Sequence, residues 1–140
     1  MPHNKNVYVI DDDAAVRQSL TFLLEAANLS VHVYESAAAF LESAVETFKG
    51  CIVTDIRMPG MDGLEMARRI KTNPKTKTIK VIALTGSAKS DDQERADAAG
   101  CDEYLTRPIE TRVLATRIRQ VLDRPGTVPA EWGLDRKSVV

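Results

Sequence analysis

Cys51-Ile52-Val53-Thr54-Asp55-Ile56-Arg57-Met58-Pro59-Gly60-Met61-Asp62-Gly63 is the stretch whose reading decides the fold. Its first four residues are apolar or β-branched and read as a short buried strand. The strand delivers a carboxylate, Asp55, and the Pro- and Gly-containing run behind it reads as a turn. Two other apolar runs end in the same manner. Val7-Tyr8-Val9-Ile10 ends on Asp11-Asp12-Asp13, and Val81-Ile82-Ala83-Leu84 ends on Thr85-Gly86-Ser87. In a parallel sheet these carboxyl ends lie side by side, on the edge where open α/β sheets bind ligands. Carboxylates gathered there repel one another, so the cluster points to a hard divalent cation such as Mg²⁺.

Outward from this stretch, strand-like runs alternate with segments of helical period. Strands are expected at 6–10, 31–34, 51–54, 79–84 and 102–106. The first helix is expected at 14–27, with Val16, Leu20, Leu23, Leu24 and Ala27 on one face and Asp13 as its cap. The second runs from the cap Ser36 to Phe48. The third starts at Asp62 or Gly63 and turns Leu64, Ala67 and Ile70 inward, and residues 72–78 form a polar loop. The fourth spans 90–99 and stops at Gly100. The fifth runs from beyond Pro108 to Asp123, with Val113, Leu114, Ile118, Val121 and Leu122 apolar. Five βα units imply an α/β fold, a parallel sheet with helices on both faces. The domain is placed at 1–124, with 125–140, including Trp132, a flexible tail.

The chain has 140 residues, enough for one core, and its hydrophobic and charged fractions of 44% and 28% are those of an ordinary globular protein. A net charge of −1 gives no reason to expect nucleic acid or membrane as a partner. No apolar run approaches the roughly 20 residues of a membrane span, and the amino terminus lacks a secretory pattern, so cytoplasm is the expected location. Cys51 and Cys101 read as reduced, buried thiols, with no paired His/Cys spacing for zinc. His3 and His32 are given no catalytic part.

Four motifs in order carry a family resemblance: Val9-Ile10-Asp11-Asp12-Asp13, then 55–63, then Leu84-Thr85-Gly86, then Tyr104-Leu105-Thr106-Arg107-Pro108. Together they resemble the receiver domain of two-component response regulators over about residues 5–123. Residues 7–68 resemble FixJ-type receivers, and 79–123 look more like single-domain or hybrid-kinase receivers. Ordinary divergence and a recombined or engineered chain both fit that split. The resemblance implies a five-stranded (βα)5 flavodoxin-like fold with strand order 2-1-3-4-5.

It also implies the chemistry. An aspartate attacks phosphorus in a kinase phosphohistidine or a small phosphodonor and becomes an acyl phosphate; by motif match this is Asp55. Asp12 and Asp55 match direct Mg²⁺ ligands, Asp11 the acid acting through water, and Arg57 the residue whose carbonyl completes the set. Thr85 matches the hydroxyl that bonds a phosphoryl oxygen, and Tyr104 the aromatic that moves with it to switch the surface of the fourth helix, fifth strand and fifth helix. That surface is also the implied homodimer face. A histidine kinase or phosphotransfer protein is the implied donor, docking near the first helix. The side chains of Arg57 and Ser87 flank the entry to Asp55. Arg107 departs from the family, which places lysine there; it is expected to meet Asp55 in a different geometry or to lean outward. The Arg107-Pro108 bond is expected to be cis.

The alternative reading is a degenerate or engineered receiver acting as a scaffold without phosphorylation. An independent phosphohydrolase is disfavoured because Arg57 stands where those enzymes carry a second acid. A flavodoxin-like cofactor binder is disfavoured because no Gly-rich loop follows the first strand. Nothing beyond self-phosphorylation and self-dephosphorylation is expected as enzymatic activity.

Overall fold

The computed structural model describes residues 6–43, 49–86, 90–107 and 110–123. The elements run β1 (Asn6–Ile10), α1 (Ala14–Ala26), β2 (Ser30–Tyr34), α2 (Ala37–Ser43), β3 (Cys51–Asp55), α3 (Gly63–Thr72), β4 (Lys80–Thr85), α4 (Ser90–Ala99), β5 (Glu103–Thr106) and α5 (Thr111–Asp123). All strands are parallel, in the order β2-β1-β3-β4-β5. Expected boundaries hold to within one or two residues. The end of the second helix at Phe48, Ser87, Pro108 with its expected cis bond, His3 and the tail lie outside the described residues.

The buried strands are apolar on both faces because helices cover both. Tyr8, Ile10, Ile52, Val81 and Ala83 point to one side and pack with Phe40, Leu64, Ala67 and Ile70. Val7, Val9, Val53, Ile82 and Leu84 point to the other and meet Leu24, Leu114, Ile118 and Val121. The period of two along each strand therefore divides one sheet between two cores. Cys51 and Cys101 are buried and form no disulfide, and burial pushes the Cys51 thiol far up. His32 stacks on Tyr8 with ring centroids 5.4 Å apart.

On α1 only part of the expected face is inside. Leu24 is fully buried and Leu20 and Ala27 pack beside it, but Leu23 is 36% exposed. Leu20 and Leu24 stand one turn apart, and Leu23, 100° round the axis from Leu24, falls on the shoulder of that stripe. Asp13 caps the helix as expected. Its carboxylate accepts from the Ala15 and Val16 N–H groups at 2.9 and 3.3 Å. Asp13→Ala is expected to lower stability by about 1 kcal/mol in denaturant unfolding.

At the amino end of the sheet, Lys71 donates to the Asp102 carboxylate (2.9 Å) and to the Ile79 carbonyl (2.8 Å). The same carboxylate oxygen accepts from the Val81 N–H at 2.8 Å. This pairing fixes the start of β4 against the approach to β5, and so fixes where both strands end at the opposite edge.

Candidate functional site

Pairing in register carries the chemistry to one edge. Ile10 lies opposite Thr54, Asp55 opposite Leu84, and Thr85 opposite Thr106. β3 runs one residue further than expected, so Asp55 is its last residue, held by the ladder to β4. Asp11 follows β1 directly. One carboxylate oxygen from each of Asp11, Asp12 and Asp55 lies within 4.8 Å of the others. Asp11 is buried, Asp55 half-buried and Asp12 exposed.

Burial, foremost, raises the Asp55 pKa above its ordinary value, and the Asp11 charge adds to this. The Arg107 guanidinium and a hydrogen bond from the Arg57 main-chain N–H oppose the rise, and Asp12 raises it again. Two further acids crowded against the half-buried Asp55 carboxylate complete a hard-oxygen donor set that fits Mg²⁺.

Asp11 is held from three directions. Its Oδ1 accepts from the Asp13 N–H (2.9 Å), its carbonyl from Arg17 Nη1 (2.6 Å), and its Oδ2 from Arg107 Nη2 (2.6 Å). The last contact corrects the expectation for Arg107. Its side chain, 29% exposed, neither pairs directly with Asp55 nor leans outward; it pairs with Asp11. The long forked guanidinium reaches the most deeply buried carboxylate of the three, where a counter-charge matters most. The Arg107 N–H donates to the Thr85 carbonyl at 2.7 Å, tying the end of β5 to the end of β4. Thr85 itself is 1% exposed. A Cβ at Gly86 would meet nothing within 4 Å, so open space adjoins Thr85. Tyr104 lies opposite Ala83 and is half-buried against the core shared by α2, α3 and α4.

The β3–α3 loop, residues 56–62, shows two things that sequence reading missed. Gly63 was assigned to the turn, but its role is close approach. Its N–H donates to the Ile56 carbonyl at 3.0 Å, and a Cβ there would sit 2.3 Å from the Asp55 carbonyl oxygen. The signal available in sequence was only a glycine directly after the cap Asp62. The second is Asp92, to which the Arg57 side chain turns at 3.3 Å. Met58 belongs to the core and Met61 packs against it.

An open parallel sheet with a carboxylate pocket at the carboxyl edge, beside the point where strand order reverses, places this protein in the doubly wound α/β class, at the position where that class binds ligands. The family profile described as response regulator receiver domain matches residues 7–119, and the chain belongs to that family. The transcriptional regulatory protein FixJ of Azorhizobium caulinodans is 41% identical over 124 residues, 89% of this chain and 58% of FixJ. The chain thus spans little more than half the length of that relative. The crystal structure of FixJ-N superposes with a TM-score of 0.80 at 31% identity, covering 91% of this chain and all (100%) of that one. A beryllofluoride-activated DrrB receiver domain gives 0.73 at 27% identity, over 87% of this chain and 100% of that one. No helix among the described residues is long and apolar enough to cross a membrane.

Proposed function

We propose that Asp55 is the residue on which this two-component receiver accepts its phosphoryl group, from a histidine kinase or a phosphotransfer protein in the cytoplasm. A carboxylate oxygen of Asp55 attacks phosphorus, the bond to the leaving group breaks, and an acyl phosphate remains. The observation that carries this reading is the convergence of Asp11, Asp12 and Asp55 around one half-buried carboxylate of raised pKa. Asp12, Asp55 and the Arg57 carbonyl would hold Mg²⁺ directly, and Asp11 through water. The cation supplies neutralisation of the charge on the transferring group. Thr85 offers a hydroxyl to the phosphoryl group beside the open space at Gly86. The output passes through Tyr104 to the α4-β5-α5 surface, which is also the proposed homodimer face. Beryllofluoride tests the reading: Mg²⁺-dependent binding with a displaced Tyr104 ring signal supports it, and absence of binding refutes it.

Arg107 sets the speed of this reaction. It holds Asp11 through a 2.6 Å ion pair and so ties up one acid of the cluster. A lysine carries the same charge as a compact ammonium on a different stem and would not reproduce the guanidinium contact to Asp11. Arg107→Lys is expected to raise the rate of phosphorylation by acetyl phosphate several-fold. An unchanged rate would show that the guanidinium is a full substitute.

A further inference from the structure

Two charged residues are buried among the described residues, Asp11 and Asp92. Asp11 belongs to the acceptor pocket. Asp92 lies in the first turn of α4, and its side chain is 1% exposed. The helix dipole favours an acid in that turn, but Asp91 occupies the same turn and is exposed, so the dipole does not require burial. A buried carboxylate is costly unless it is paired. Each Asp92 oxygen has its own cation: Oδ1 faces Arg95 Nη1 at 3.4 Å, and Oδ2 faces Arg57 Nη2 at 3.3 Å.

Arg95 is a neighbour on the same helix, whereas Arg57 comes from the loop after β3. The Arg57 main-chain N–H bonds the Asp55 carboxylate, while its guanidinium bonds Asp92. One residue therefore holds the acceptor with its backbone and α4 with its side chain.

We infer that Asp92 is a positioning residue for phosphoryl lifetime and for coupling to α4: it competes with the phosphoryl group on Asp55 for the Arg57 guanidinium. This rests on Asp55 being the acceptor. Phosphorylation brings a charge of about −1.5 to −2 beside Arg57, against the single charge of Asp92. The Arg57 side chain is 63% exposed and has room to swing. Asp92 keeps Arg95 when Arg57 departs, so the exchange does not strand a buried charge. While Arg57 stays on Asp92, the acyl phosphate lies open to water. Water attacks phosphorus, the bond to the Asp55 oxygen breaks, inorganic phosphate leaves, and the proton passes to solvent. Arg57 drawn over the phosphoryl group blocks that approach and loosens the hold on α4.

The test is the half-life of the phosphorylated full chain, loaded with acetyl phosphate and Mg²⁺ and then desalted. Asp92→Asn keeps size and removes charge; it is expected to lengthen the half-life several-fold. In an Arg57→Ala background the same change should do nothing, and Asp92→Glu should stay near wild type. Equal lengthening in both backgrounds would mark a general structural effect and overturn the inference, as would no lengthening. If Asp92→Asn does not fold, Arg95→Ala decides. With Arg95 gone, Asp92 should hold Arg57 more firmly and shorten the half-life, and a longer one refutes competition. A wild-type chain that never gains a phosphoryl group overturns the acceptor assignment itself, and is distinguished by the absence of any species whose lifetime could be measured.

Discussion

Asp55→Asn is expected to abolish phosphorylation outright. Incubated with acetyl phosphate and Mg²⁺, the wild-type chain should gain the mass of one phosphoryl group in intact-protein mass spectrometry, and the variant none. The amide keeps the shape of the side chain but offers no anionic oxygen to attack phosphorus. The neighbouring acids cannot stand in: Asp11 is buried and bound to Arg107, and Asp12 lies outside the β3–β4 ladder that aims Asp55. Mass gain on the variant would refute the assignment.

The same substitution should raise thermal stability at neutral pH, in the opposite direction to its effect on chemistry. The Asp55 pKa is raised in the folded state, chiefly by burial and then by Asp11. The folded chain therefore binds a proton more tightly there than the unfolded chain does. Stability from that proton is complete below the unfolded pKa and is lost as pH rises through the folded one. At pH 7 the wild type bears a disfavoured carboxylate that the variant lacks. The variant's higher Tm should converge on the wild-type value as pH falls below the carboxylate range. Adding Mg²⁺ should also narrow the gap, because ligand binding stabilises only the chain that holds it.

Gly63→Ala is the second large effect expected. The added carbon would lie 2.3 Å from the Asp55 carbonyl oxygen and 2.9 Å from Thr54 Oγ1. The nearer neighbour is backbone of the acceptor strand, with no flexible tip to move aside, so α3 or β3 must shift. Overpacking of this kind costs about 1–3 kcal/mol, occasionally more. Because the displaced atoms belong to Asp55, phosphorylation should slow as well. Gly60→Ala supplies the contrast. Gly60 has a φ of +76° but nothing within 4 Å of the added carbon, leaving left-handed strain of about 1 kcal/mol. A larger loss at Gly60 than at Gly63, in stability or in phosphorylation, would show that close approach does not matter.

These two residues mark how much was legible in the sequence. Asp55 stood out because a short apolar run with a polar or acidic group at its end is a local pattern, repeated at Asp11 and Thr85. Helix starts were legible for the same reason: Asp13 and Asp62 cap α1 and α3 through bonds two or three residues away. Long-range partners were not legible. Nothing local says that Arg107 reaches Asp11, 96 residues earlier, or that Arg57 meets Asp92, 35 residues later. Those pairings depend on strand order and on which charge is most deeply buried. The helix start at Gly63 was legible but its close approach to Asp55 was not, because close packing between a helix start and a strand end has no composition signal of its own.

The strand order has a consequence for synthesis on the ribosome. The first strand to emerge, β1, occupies the middle of the sheet; β2 joins one side, and β3, β4 and β5 add outward on the other in the order in which they are made. Asp11 and Asp55 are therefore both synthesised before Arg107, which lies just beyond the last strand. A nascent chain ending at Gly100 would carry paired acids without their guanidinium, and metal in the medium should compact it more than it compacts the finished protein. Pulse proteolysis of stalled chains, with and without Mg²⁺, would measure that difference.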